Sequence, residues 1–478
     1  MFEILFYGAA GLGAVAIPFV AYLAVVGVTQ ITRQREVGWF HYCFYGIFLT
    51  VAAQTIASGR DLSVANWLSV TTDGPKIAAW ATWETRVVSV LLLLAAAERV
   101  ATAVFNAKAT AKMTVLLPIF VMYWMGVVAS PALLGRYPRV SHEYLYPLLF
   151  ACAGLLATKT ESILAVQVAR NALLLFIAAG VLAIPINTGL VLETGYAQGY
   201  LPGVPRMAGL APHALQLGFI AQVAMFCLWD KPFKHSLLNK LAWVLCLGVL
   251  FVAQSKTAWV SFAVSAMVML LLRQGAIVRK KLFDSERPAI GIILVLAAMA
   301  GVLLVAYTMV FGELGSKIIR FFDTDDGAKL LTLNGREEIW AIALSEWRNS
   351  PIFGYGPTLF SLEFRQSIGL LNATHAHNQF VDDLSRAGLV GATALVIYVL
   401  ILLVLCLRTA KVTGGLSVAL LLVIVLRGVS EVPFALYSYG LEFAVHLLLL
   451  IVLVGAFRIN KKDRTITTPH DSALAAVG

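Results

Sequence analysis

Long apolar runs alternate along this chain with short polar or basic stretches. A membrane-spanning helix needs about 20 mainly apolar residues. Runs at 5–28, 38–56, 85–104, 113–130, 144–158, 164–186, 212–229, 240–253, 257–273, 288–311, 388–408, 414–429 and 434–457 meet or approach that length. Backbone inside lipid must satisfy its own hydrogen bonds, so these runs predict helices. The expected fold is an all-α polytopic membrane protein of about twelve spans. Four regions follow: a transmembrane bundle over 1–311 with about ten spans, a loop unit over 312–387, further spans over 388–457, and a disordered tail over 458–478. The first run lacks a basic flank and more spans follow it, so no cleavable signal is expected.

The loop unit is too long for a connector, which predicts a folded piece at the membrane surface. Within it, Gly335 to Leu344 carries apolar residues at helical spacing. Ser350-Pro351 should end that helix, and Gly354-Tyr355-Gly356-Pro357 should turn the chain.

Composition agrees. Hydrophobic residues make up 60% and charged residues 13%, against roughly 25% charged in a soluble domain. Mean hydropathy is +0.83. The net charge of +10 is unevenly placed. Arg33/Arg35, Arg99/Lys108/Lys112, Lys231/Lys234/Lys240, Arg273 to Lys281, Arg408/Lys411 and Arg458 to Arg464 form basic loops. Cytoplasmic loops are rich in Lys and Arg, so these point inward. That placement accounts for the charge without a nucleic-acid partner. The N-terminus is then periplasmic with thirteen spans or cytoplasmic with twelve, and both stay open. Cys43, Cys152, Cys227, Cys246 and Cys406 lie in or beside apolar runs without CxxC spacing, which argues against a disulfide framework or zinc site.

The outward loops should be poor in cations, yet they hold Arg136 and Arg139 in GRYPRV, Arg206 in LPGVPRMAGL and Lys256 in QSKTAW. Arg86 begins a span, and Arg320, Arg336, Arg348, Arg365 and Arg386 lie in or beside the long loop. Ionisable groups at membrane depth are costly and mark functional sites by default. Converging cations suggest an anionic ligand; singly, each could snorkel or cap a helix instead. Around Arg206, Pro202, Gly203, Pro205 and Gly209 impose irregular backbone, which a membrane tolerates only inside protein or along a cavity.

The stretch THAHNQFVDDLSRAGLVG, Thr374 to Gly391, concentrates the ionisable chemistry. If Asn372 or Thr374 caps a helix, His377 falls in its first turn. Gly388 and Gly391, eleven and fourteen residues on, would then share its face at 3.6 residues per turn and allow close packing. Of Asp382 and Asp383, one should orient a His or Arg and the other should be solvated. A histidine near the surface suits a general base; His375 competes with His377 for that role, and a purely structural histidine is the bland alternative. Asp323, Asp325 and Asp326 read as a solvated acidic turn. HExxH, GxSxG and Walker motifs are absent.

These residues resemble the O-antigen ligase family and the related O-antigen polymerases. The family pattern is His, then Asn, Ser or Gln, nine residues, GxxG, then Gly, Thr or Tyr. His377-Asn378 and Gly388-Leu389-Val390-Gly391 match it, and Ala392 departs at the last position. Arg206 and Leu210 match an upstream Arg-xxx-Leu, and Lys256 stands where the family usually has Ser-Arg. NGREEIW and PIFGYG also look like the family. The resemblance covers about residues 200–405.

It implies a metal-independent, cofactor-free, inverting transferase on the periplasmic face of the bacterial inner membrane. The donor would be a glycan on undecaprenyl diphosphate and the acceptor a sugar hydroxyl of lipid A-core. His377 would be the base and Arg206 the main diphosphate ligand. Arg136, Arg139, Arg86, Lys256, Arg336, His375 and Asn378 would be further substrate contacts. A polymerase joining two lipid-linked repeats, a protein O-oligosaccharyltransferase and a non-catalytic lipid-linked glycan flippase remain alternatives.

Overall fold

The computed structural model describes residues 38–63, 77–105, 115–194, 204–282, 336–371 and 373–466, with side chains described to 273 and 457 in the two longest C-terminal helices. The runs at 5–28 and 288–311, and the acidic residues Asp323 to Asp326, lie outside them.

Every other apolar run coincides with a helix. In chain order these are α1 (Trp39–Ala57), α2 (Ala79–Phe105), α3 (Leu116–Trp124) continuing through a π-turn at Met125–Ala129 into α4 (Ser130–Leu134), α5 (Leu145–Leu155) and α6 (Lys159–Leu182). After the short α7 (Thr188–Val191) come α8 (Ala214–Asp230), α9 (Ser236–Val252) and α10 (Lys256–Leu282). Then follow α11 (Arg336–Asn349), α12 (Leu362–Ser367), α13 (Gln379–Thr409), α14 (Leu416–Gly428) and α15 (Leu441–Ile466). The last helix continues past residue 457 into the stretch expected to be tail. Six of the described segments are long and apolar enough to cross a membrane, and α8, α9, α14 and 441–457 are shorter apolar helices. The chain is thus a polytopic helical membrane protein.

Leu94, Val244 and Leu400 stand exposed on helix flanks, where a bilayer would solvate them, while one large apolar cluster fills the bundle. Polar clasps fix its ends. Thr158 and Glu161 form a reciprocal cap at the start of α6. Glu161 also accepts two bonds from Arg99 at 2.8 and 2.9 Å, joining α6 to α2.

Helix ends alternate, so the turns sort to two poles. At one pole, Arg206 meets the 253–256 turn and His377 meets the α14–α15 connection. At the other, Asp230 meets Arg273 at 2.7 Å. The first pole also holds a two-stranded sheet, β1 (Leu192–Glu193) against antiparallel β2 (Arg206–Met207), with Glu193 opposite Arg206.

The described part of the loop unit has a small core of its own, in which Leu359, Phe360 and Phe364 pack with Ala343, Ala373 and Ala376. Two backbone clasps fasten it to the bundle. Arg136 N donates to Gly354 O and Tyr137 N to Tyr355 O, at 3.0 and 2.7 Å. Leu389 N and Val390 N donate to Pro351 O and Ile352 O.

Candidate functional site

The helix that carries the histidine motif begins later than its spacing predicts. Asn378 is the N-cap: its Oδ1 accepts from Val381 N at 3.1 Å, and α13 starts at Gln379. His377 therefore precedes the helix, with φ +50°, a left-handed conformation that histidine tolerates better than most residues. It shares no helical face with the two glycines. Gly388 breaks the helix at φ +66°, ψ −160°, a region essentially confined to glycine. A Cβ there would lie 2.3 Å from Ile352 O. Gly388 thus makes room for the Pro351–Gly354 turn, and Gly391 lies against Gly126 of the π-turn.

Both aspartates are buried and bonded, and neither is solvated. Asp382 Oδ1 accepts from Ala376 N at 2.9 Å, and its Oδ2 accepts from Arg386 Nε at 2.9 Å. Trp340 Nε1 donates to Ala376 O at 2.7 Å. Ala376, the residue between the two histidines, is therefore clamped at both its N–H and its C=O. Asp383 faces Gln379 and Tyr123.

Sequence reasoning overlooked the residue at the centre of the site. Glu431, 7% exposed, lies between α14 and α15. Its Oε2 is 3.3 Å from His375 Nε2 and its Oε1 is 3.4 Å from His377 Nδ1. Arg336 Nη2 is 3.8 Å from the same Oε1. A lone carboxylate between two apolar runs, in RGVSEVPF, was the available signal. Asn378 Nδ2 donates to Val429 O at 3.3 Å, and Gln379 Oε1 accepts from Phe434 N at 2.8 Å. These two side chains rivet the histidine loop to the Glu431 loop, so Asn378 is spent on positioning.

The bonds fix the protons. His375 Nδ1 accepts from His377 N at 3.1 Å, so its proton is on Nε2, facing Glu431. His377 Nδ1 faces a carboxylate and must donate to it, which leaves the lone pair on Nε2. Burial pushes the Glu431 carboxyl up, but the two histidine hydrogen bonds and Arg427 outweigh it and hold the group well below its ordinary range. Burial, with the charges of His375 and Arg336, holds His377 below 6.5 against the pull of Glu431. His377 is thus a neutral imidazole with an oriented Nδ1–H and an available Nε2.

Arg206 enters from the other side. It is 5% exposed, donates Nε to Ala253 O at 3.2 Å, and lies 3.6 Å from Glu193 Oε2. Gln254 donates to Val204 O at 2.9 Å, so the turn before Lys256 packs on the Arg206 loop. Arg60, also missed by the sequence, staples that loop. It donates to the carbonyls of Leu190, Gly209, Ala211 and Pro212 at 2.5 to 2.9 Å.

His213 connects the two halves. It caps α8, accepting from Leu215 N through Nδ1 at 3.2 Å. The residue keeps solvent access although protein atoms surround its ring closely. Burial, with Arg206, Arg427 and His377 charges, holds it down to about 4 while Glu431 pulls the other way. With Nδ1 occupied, neutral His213 presents Nε2–H.

The remaining sequence candidates lie elsewhere. Arg136 pairs with Glu346 at 3.3 Å and stacks on Tyr137, which anchors the loop unit. Arg139 is exposed and acts on Tyr144. Arg86 is exposed over the Trp83 ring. None of the three bonds the His–Glu cluster among the described contacts.

His375, His377 and Glu431 offer three donor atoms within 4.8 Å of one another, a set that could hold a divalent cation. Arg336 and Arg427 beside the carboxylate would oppose a dication.

Residues 241–396 match the family profile described as O-antigen ligase. Over these residues the chain is similar to O-antigen ligases. The match includes Lys256, Arg336, His375, His377 and both motif glycines, while Arg206, His213 and Glu431 lie outside it. No curated protein matches the chain. The matched family is one of membrane enzymes of glycosyltransferase type, which supports a transferase in general terms.

Proposed function

We propose that the chain is the O-antigen ligase itself. It would move O-antigen polysaccharide from undecaprenyl diphosphate to a sugar hydroxyl of lipid A-core, at the periplasmic face of the inner membrane. The observation that carries this reading is the neutral His377, oriented by Glu431, with His213 close enough to feel the charges of both His377 and Arg206.

The acceptor hydroxyl attacks the anomeric carbon. Its proton passes to His377 Nε2 as the new C–O bond forms. The bond to diphosphate breaks on the opposite side, and undecaprenyl diphosphate leaves with the electron pair, giving inversion. Diphosphate is already a good leaving group, so fixed cations suffice to stabilise the developing charge. Arg206, Arg336 and Lys256 are the residues for that task. Arg206 contributes from within the wall, partly offset by Glu193, and Arg336 is nearest the base. Imidazole plus arginine chemistry calls for no metal.

The test is deletion in the native bacterium, with lipopolysaccharide and lipid-linked glycan resolved side by side. Bare core with long chains retained on undecaprenyl diphosphate supports the ligase. Core carrying a single repeat without a ladder makes the protein a polymerase. His377→Ala and Arg206→Ala should each fail to restore transfer at matched protein levels.

A further inference from the structure

At the pole opposite the histidines, α6, α8, α10, α14 and α15 converge on a cavity of about 360 Å³, within the range of small-molecule sites. The basic loops assign this pole to the cytoplasm. Lys231, Arg273 and Lys411 line the cavity with a single carboxylate, Asp230. That carboxylate is shared, with Arg273 Nη2 at 2.7 Å from Oδ1 and Lys231 Nζ at 3.4 Å from Oδ2. Arg273 also donates to Trp229 O. Lys411 is exposed and makes no ion pair among the described residues. The start of α14 adds a positive helix end beside these cations.

The walls are of another kind. Ile163, Val166, Leu416 and Val452 line them, and Ile163 is 41% exposed, so hydrocarbon continues outward from the cationic floor. Gly414, at φ +55°, lets the backbone approach Arg273, whose Nε would lie 2.7 Å from any Cβ there. A soluble anion would use the floor alone. An amphiphile with a phosphodiester head and acyl chains would use both surfaces.

We infer that this cavity binds the headgroup phosphate of an anionic phospholipid from the cytoplasmic leaflet. Lys411 and Lys231 hold the phosphodiester, Arg273 is fixed beside it by Asp230, and an acyl chain runs along Ile163 and Val166. The site is separate from the proposed transfer chemistry, and neither reading depends on the other.

The test uses the full chain, purified in detergent and titrated with phosphatidylglycerol, phosphatidylcholine or inorganic phosphate while thermal unfolding is followed. Phosphatidylglycerol should raise the midpoint more than phosphatidylcholine does. Lys411→Ala should remove at least half of that difference, and Lys411→Arg should keep it. Lys240→Ala, at an exposed lysine of the same pole outside the cavity lining, should leave it unchanged. Equal shifts with the two lipids, or an unaltered difference in Lys411→Ala, overturn the site. Equal loss in Lys240→Ala makes the effect a general surface one and also overturns it. An equal shift from inorganic phosphate alone assigns the cavity to a soluble anion and overturns the lipid assignment.

Discussion

His377 acquires its character from three neighbours, one of them 54 positions away in sequence. Glu431 accepts a hydrogen bond from its Nδ1–H, Asp382 holds the preceding residue, and Asn378 rivets its loop to Val429. Replacing Glu431 by Gln leaves the size but removes the charge that fixes the tautomer. Transfer should fall by about 10²-fold or more, the usual scale for a general base, with protein levels unchanged on immunoblot. The pH dependence has a definite sign. His377 acts when neutral and its value lies below 6.5, so transfer should be level at neutral pH and fall only on the acid side. An acid limb above pH 6.5 would exclude it as the base. For His213 the folded value is about 4 against 6.5 when unfolded. Between those values the unfolded chain binds more protons, so stability is full above pH 6.5 and is lost as pH falls towards 4. His213→Asn keeps an N-cap acceptor and should flatten that slope in thermal melts.

The helical elements were largely legible because burying about 20 apolar residues in lipid leaves few alternatives to a helix. The start of α13 was not. Several residues could cap it, and the choice fell to Asn378 because its side chain also reaches Val429. The aspartates illustrate the same limit: Asp382 does hold an arginine, Arg386, along with Ala376 N, but Asp383, expected in solvent, is claimed by Gln379 and Tyr123. Gly388 shows the structural demand most directly. Gly388→Ala meets a forbidden backbone region costing about 1–3 kcal/mol, besides the contact with Ile352 O. Circular dichroism melts should show marked destabilisation. Gly248, with open space around it, should accept alanine without loss. The His–Glu triad makes its own prediction: chelator treatment should leave transfer unchanged, and zinc-restored activity after chelation would reassign the cluster as a metal centre.

Across the whole molecule, charge sorts to two poles. Lys234 should become accessible, once changed to Cys, only after the inner membrane is permeabilised. Cys placed at Glu363 should react from the periplasm. The natural cysteines are four buried and one half-buried, so background labelling should be low. Reversed labelling would invert the topology and place the histidines in the cytoplasm. Composition and apolar periodicity determined the membrane class and most of the described helices, because lipid imposes local, length-based rules. Tertiary structure alone decided the partners. Glu431, His213 and Arg60 carry little signal along the chain, since a single polar residue between apolar runs has many possible uses. Packing brought Glu431 against His377 across 54 positions and Arg60 beneath the Arg206 loop across about 150. It also drew Arg136 to Glu346 and away from the His–Glu cluster, a choice set by which carboxylate lay nearest in space.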